Sequence, residues 1–458
     1  MKKLIFIILL IIFSIILFYW TNTKYSNYNQ ELIKNNNNTL EEIVIYTQPV
    51  LKNDIQARLN VFASDKDILI TVIDDIGKKP YDIAILTDKN EEINNTNIVY
   101  SQKTNLSPDL IEQYYQDKIP NLEIHLYIKN YSHIAQSIEN YLKKSFIDYP
   151  PQKNKLIFIG CILLSRWVAL KSQQNNDYTY PFQHTAHITK NSDLTIANLE
   201  TPFAETGPYT ELGMVFRGDP KLIEGLIFSK INVVNLANNH FGDAQRSAMH
   251  YTFELLKQNN ISYFGAGIDN KHAREPLIIE INNIKYAFLG YADSAFTPLS
   301  YASTDNYAGL NIMDEKNLIE DLKNIKTKAD FIIVSMHAGT EYTYHPNTKQ
   351  TSFARTAIDH GANMVYGHHP HVVQAIEYYK NKPIFYSQGN FAMDQIERNT
   401  KQGYILEIET MFNTIININI IPYHIHNYSQ PKPTENKESE EIIENIISAT
   451  KKIYHERQ

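Results

Sequence analysis

The stretch Val365-Tyr-Gly-His-His-Pro-His-Val-Val-Gln374 carries three histidines within four positions, directly after the apolar run Gly361-Ala-Asn-Met-Val-Tyr366. The run reads as a buried strand. A strand that ends in closely spaced imidazoles brings them to the rim of a sheet, where several ligands can converge on one ion. Alone, the cluster would pass for histidines in a polar turn, so its meaning depends on what the other strands carry at their ends.

Upstream, strand-like runs alternate with helical patterns. Strands are expected at Lys155–Ile159, Leu194–Ala197, Asn232–Leu236, Lys285–Leu289, Phe331–Ser335, Asn363–Tyr366 and Pro383–Tyr386. Helical spacing of apolar residues marks Asp243–Gln258, Asp314–Ile325 and Lys349–His360. Two later runs, Gly403–Glu409 and Thr414–Ile421, alternate as an antiparallel pair. This order predicts a layered α/β domain over residues 151–428, in which ligands sit at the loops beyond the strand ends.

Those loops share a chemistry. Successive strand exits read Gly160-Cys-Ile-Leu-Leu-Ser-Arg166, Asn198-Leu-Glu200, Ala237-Asn-Asn-His240 with Asp243 beyond, Ser335-Met-His-Ala-Gly-Thr-Glu341, and the histidine cluster. A carboxylate, an asparagine carbonyl and imidazoles form an N/O donor set suited to Zn, Mn or Fe. Two such ions, about 3.5–4 Å apart and bridged by a carboxylate, can activate water and clamp a phosphoryl group. His240 stands next to Asn239 and can protonate a leaving oxygen, with Asp243 orienting its ring. Arg166 and Arg217 are candidates to pair with an anionic substrate, and surface ion pairing is the competing role for each.

This set of strand exits resembles the calcineurin-like metallophosphoesterases, in particular their CapA branch of poly-γ-glutamate capsule synthesis proteins. The matching residues are Gly160…Arg166, Asn198-Leu-Glu200, Leu236-Ala-Asn-Asn-His240, His337-Ala-Gly-Thr-Glu-Tyr342, Gly367-His-His-Pro-His-Val-Val-Gln374 and Tyr386-Ser-Gln-Gly-Asn-Phe391. The resemblance covers residues 155 to about 428. It implies a layered metallophosphoesterase-like fold, with central β-sheets flanked by helices, and one or two divalent metal ions. It implies Glu200 as the bridging carboxylate, Asn239 and His337 at the second metal, His240 as the acid near the leaving group, and His369 and His371 as ligands. His368 occupies a position where the superfamily has glycine and is the weaker candidate. It further implies a polymeric or phosphorylated envelope substrate and other capsule synthesis membrane proteins as partners. One residue departs from the pattern: Cys161 stands where the family has a first-site aspartate. A thiolate could ligate zinc or iron there; a small buried thiol would leave that site weakened or lost. Activity as a hydrolase and a non-catalytic role in polymer binding, assembly or export both remain open on this residue.

The rest of the 458 residues frames this domain. Lys2 and Lys3 precede the uncharged run Leu4 to Trp20, which predicts an N-terminal anchor in the cell membrane with the bulk of the chain outside the cytoplasm. A cleaved signal peptide is the alternative, although polar Thr21-Asn-Thr-Lys24 offers no small-residue cleavage site. Residues 21–40, with Asn35-Asn-Asn-Asn38, read as a linker, and 41–150 as a small α/β domain of strands near 42–46, 68–72, 81–85 and 122–126 closed by a helix over 133–146. Residues 429–458 read as a charged tail with a C-terminal amphipathic helix that packs on the domain or on a partner, or stays solvated. The net charge of -7 gives no basic signature for nucleic acid, and the single cysteine allows no internal disulfide.

Overall fold

The structure is a computed structural model. It describes residues 153–207, 213–411 and 414–455, together with the backbone of strands at 42–47, 69–73, 83–86, 100–104 and 124–128. The expected anchor at 1–20, the linker at 21–40 and the helix at 133–146 lie outside the described residues. Among the described residues, no helix is long and apolar enough to cross a membrane.

The chain divides into two compact units at Pro150. The first holds one five-stranded sheet of β1 (Glu42–Thr47), β2 (Leu69–Ile73), β3 (Ile83–Leu86), β4 (Tyr100–Thr104) and β5 (Ile124–Ile128), in the order β2-β1-β3-β5-β4. β1 is parallel to both of its neighbours, whereas β5 runs antiparallel to β3 and β4.

The second unit contains two larger sheets. The first combines β6 (Lys153–Ile162), β7 (Leu194–Leu199), β8 (Val233–Asn235) and β9 (Ser262–Phe264), all parallel. The second is built on β12 (Ile284–Ala292), β14 (Phe331–His337), β15 (Met364–His368) and β17 (Lys382–Phe385), also parallel. The short strands β10 (Ala266–Gly267) and β13 (Gly309–Leu310) pair apart from both sheets. Antiparallel β11 (Leu277–Ile281) and β16 (Ile376–Tyr379) border the second sheet. The first continues through β19 (Gln402–Met411), β20 (Thr414–His426) and β21 (Gln430–Pro433), while β18 (Asn390–Ala392) adds to β6.

The sequence pattern explains this layering. Phe331-Ile-Ile-Val334 is apolar at consecutive positions because a parallel strand between two covered faces has no solvated side. Alternate side chains therefore divide between two cores. Leu156, Phe158, Ile196 and Val233 of the first sheet meet Phe288, Ile333, Met364 and Tyr366 of the second in one central layer. On the outer face of the first sheet, Ile157, Ala197 and Val234 pack beneath Val168 of α1 (Arg166–Gln174) and Met249, Phe253 and Leu256 of α2 (Gln245–Gln258). On the outer face of the second, Leu289, Val334 and Val365 pack beneath α3 (Glu315–Ile325) and α4 (Thr348–Asp359). The result is helix, sheet, sheet, helix, with the parallel strands of both sheets ending at their own rims.

Residues 429–455 belong to this unit. The helix α5 (Asn436–His455) buries Ile442, Ile446, Ala449 and Ile453, the first pair in the central core and the second in the outer one.

Candidate functional site

The inward-facing residues of both sheets turn from apolar to polar as the strands reach the rim. On β7 the face runs from Leu194 and Ile196 to Asn198 and then Glu200; on β14 it runs from Ile333 to Ser335 and His337. On β15 it runs from Met364 and Tyr366 to His368, which stands beside His337 in register. All of these polar side chains are buried. Gly160 makes part of this closeness possible: a Cβ there would stand 2.2 Å from the Gly389 carbonyl oxygen, so only glycine lets that segment approach β6.

Cys161, Glu200 and His337 place one donor atom each within 4.8 Å of one another. Asn198 donates to Cys161 Sγ and to Glu200 Oε2, each at 3.4 Å, and accepts from Asn235 Nδ2 at 3.0 Å. Glu200 is wholly buried, and its other oxygen, Oε1, has no hydrogen-bond partner. His337 Nε2 lies 3.7 Å from that oxygen and 2.8 Å from Asn239 Oδ1, while its Nδ1 is unpartnered. Burial, followed by the neighbouring histidines, holds the His337 pKa well below the usual range. Burial and then Glu200 push the Cys161 thiol well above its ordinary value, so the sulfur is neutral in this arrangement.

The second part of the site is the turn after β15. His369 and His371 both adopt positive φ, 100° and 59°, on either side of Pro370, and both rings turn inward. Their centroids lie 5.9 Å apart, and the His369 ring lies 5.0 Å from that of His337. His369 has no partner on either nitrogen, and burial pushes its pKa down to about 3. His371 Nδ1 bonds Asn390 Oδ1 at 2.7 Å. Asn390 donates its own amide to the carbonyls of Thr400 and His371, which fixes the oxygen toward the ring. His371 therefore keeps its proton on Nδ1 and turns Nε2 inward, the arrangement that outer partners impose on metal-binding histidines.

A charged carboxylate sealed from water is costly unless a cation answers it. Among the described residues no Lys or Arg is paired with Glu200. An unpartnered carboxylate oxygen and buried imidazoles held neutral form a donor set complementary to a divalent ion. The residues fit the metal that the resemblance implies.

His240 lies beside these donors, lining a cleft of about 430 Å³ together with Glu200, His371 and Glu341. Its Nδ1 bonds Asp243 Oδ2 at 2.8 Å, and the ring packs on Phe216 with centroids 4.2 Å apart. Asp243 is itself fixed by the Phe216 N–H at 2.9 Å and the Tyr301 hydroxyl at 3.2 Å. The turn between them is built by Asn238, whose Oδ1 accepts from Phe241 N–H and whose amide donates to Leu199 O. This dyad can hold a proton on Nε2 toward the cleft while Asp243 stabilises the imidazolium.

The structure thus brings Cys161, Glu200, Asn239, His337, His369 and His371 to one rim, with His240 and Asp243 at its edge. Arg166 reaches the cleft wall but is engaged there by Asp394: Nε lies 3.2 and 3.1 Å from the two carboxylate oxygens, and the guanidinium stacks 4.9 Å from the Phe216 ring. Asp394 also accepts the Trp167 N–H. Arg217 donates to the Gly207 carbonyl and lines a different groove. Four participants carried no role in the sequence reading: Glu341, Asn390, Asp394 and Tyr301. The first two lie inside motifs quoted above, and that proximity was their only signal.

The family described as "Bacterial capsule synthesis protein PGA_cap" matches residues 155–395. The capsule biosynthesis protein CapA of Bacillus anthracis is 28% identical over 291 residues, covering 62% of this chain and 70% of that protein. The PGA biosynthesis protein CapA of Bacillus subtilis (strain 168) is 29% identical over 281 residues, covering 61% of this chain and 73% of that one. Among solved structures, the calcineurin-like phosphoesterase YfkN of Bacillus subtilis aligns over 66% of this chain and 97% of its own, with 10% identity and a TM-score of 0.38.

Proposed function

This chain belongs to the bacterial capsule synthesis family PGA_cap, and from that premise we propose that it is a metal-dependent hydrolase acting outside the cytoplasm on a phosphorylated or polymer-linked envelope substrate. The observation that carries this reading is the buried donor set with an unpartnered Glu200 oxygen, placed beside the His240–Asp243 dyad. Two CapA relatives are described as proteins of capsule or PGA biosynthesis, which supports poly-γ-glutamate assembly as the setting.

In this reading Glu200, Asn239, His337, His369 and His371 hold one or two divalent ions, with Mn, Zn or Fe suited to the N/O donors. Such an ion supplies an activated water and neutralises an anionic ester. The chain's own residues do the rest. His240 gives the proton on Nε2 to the departing oxygen, Asp243 holds the ring in the required tautomer, and Phe216 and Tyr301 keep Asp243 in place. Arg166, engaged by Asp394, shapes the cleft wall. The segment Lys2 to Trp20 anchors the chain in the membrane, residues 41–150 serve as a scaffold or partner-binding module, and the unit from residue 151 onward, its C-terminal helix included, forms the hydrolase domain.

Full-length protein supplied with Mn²⁺ should hydrolyse p-nitrophenyl phosphate. His240→Asn should lower kcat by about 10²–10⁴-fold, the usual worth of a positioned acid, with bound metal unchanged. Cys161, standing where the resemblance expects an aspartate, favours a second reading, in which the fold holds or exports a capsular polymer without turnover. A wild type that retains metal but cleaves no phosphoester would select that role.

A further inference from the structure

His369 and His371 belong to a donor group separate from that of Cys161, Glu200 and His337, and its third member is Glu341. One donor atom from each of the three lies within 4.8 Å of the other two. His369 is 1% exposed with both nitrogens unpartnered. His371 has committed Nδ1 to Asn390, so Nε2 is the nitrogen left, and it lies 4.0 Å from Glu341 Oε1. That gap is too long for a hydrogen bond. It falls within the roughly 4.4 Å that two ligands can span when each sits about 2.2 Å from the same ion.

The loop bearing Glu341 is docked on the histidine turn from both sides. Ala338 N–H donates to the His368 carbonyl at 3.0 Å, and Tyr342 N–H to the Pro370 carbonyl at 2.8 Å. Beyond it, Gln374 Nε2 donates to the Thr343 carbonyl at 2.8 Å and is itself set by Gln350. Gly339 and Tyr342, with φ of 121° and 62°, make the reversals that turn residue 341 back toward the histidines. The side chain of Glu341 is 36% exposed and faces the cleft.

We infer that Glu341 is a metal ligand: with His369 and His371 it forms a second divalent-cation site, open on its cleft side. The carboxylate adds a negatively charged oxygen donor to two imidazole nitrogens, a mixed N/O set suited to a divalent ion. Because Glu341 stands at the cleft surface, an ion held there keeps a free position for water or an anionic substrate oxygen, as working sites do. The inference rests on the metal-site reading given above, and its test separates the two.

The test is a titration of full-length, chelator-stripped protein with MnCl₂, followed by calorimetry and by the Mn²⁺ electron paramagnetic resonance signal. Wild type should take up two ions. Glu341→Gln should weaken one of them by at least tenfold and leave the other within threefold, without lowering Tm. If Glu341→Gln loses fold by circular dichroism, Glu341→Asp decides, since it keeps the charge and withdraws it by one methylene; selective weakening of one ion supports the site. Both ions retained within threefold in the informative variant would overturn the inference, whatever happens to turnover. Wild type that binds no Mn²⁺ would overturn both this inference and the metal-site reading. Two ions in wild type, one lost in Glu341→Gln, and no phosphoester cleavage would sink only the hydrolase reading.

Discussion

Glu200 is the residue on which the site turns. It is wholly buried, one of its oxygens is unpartnered, and its amide support from Asn198 does nothing to neutralise it. Cys161, within reach of the same donors, offers a protonated thiol. If this thiol has cost the site an ion, Cys161→Asp should raise both bound metal and turnover on an aryl phosphate, most with Mn²⁺ or Mg²⁺, because those ions prefer carboxylate oxygen. If the thiolate instead ligates zinc, the same variant should lose zinc preference without gaining an ion. No change in either quantity, with an inactive wild type, would leave both accounts wrong. The converging residues were legible in the sequence because each follows the end of an expected apolar strand by two to five positions. Asp394 and Tyr301 were not, because their partners Arg166 and Asp243 lie 228 and 58 positions away. A contact of that kind is set by the path of the whole chain and leaves no local pattern.

The same distinction holds for elements. Strands with continuous apolar runs, such as Phe331–His337, and the amphipathic helices Gln245–Gln258 and Glu315–Ile325 fall where their periodicity puts them, with ends shifted by a few residues. Some short strands escaped: Tyr100–Thr104 is mostly polar, and Ser262–Phe264 and Asn390–Ala392 are too short to show a period. Periodicity also says nothing of partners, so the division into two stacked sheets had to be seen. The C-terminal helix makes the energetic point. Ile442, Ile446, Ala449 and Ile453 repeat at helical spacing and join two cores, so the segment is part of the domain. Ile446→Ala should cost about 2–5 kcal/mol, the usual range for emptying a buried aliphatic site. Exposed Glu444→Ala should cost under about 0.5 kcal/mol. Urea denaturation followed by circular dichroism measures both, and equal midpoints would show that the helix is not docked in solution.

At the scale of the whole molecule, a charged start and an apolar run of seventeen residues, Leu4 to Trp20, precede everything that carries chemistry. If that run anchors the chain with its domains outside the cytoplasm, protease added to intact spheroplasts should digest the bulk of the protein. Protection until lysis would reverse the proposed orientation. The central claim, that residues from two sheet rims meet to hold the ions on which function depends, is tested most directly by elemental analysis. Full-length protein purified without chelator and equilibrated with Mn²⁺ should carry two divalent ions per chain, falling to one or none in Glu200→Gln. Wild type carrying none, or a Glu200→Gln variant retaining the full complement, would contradict it.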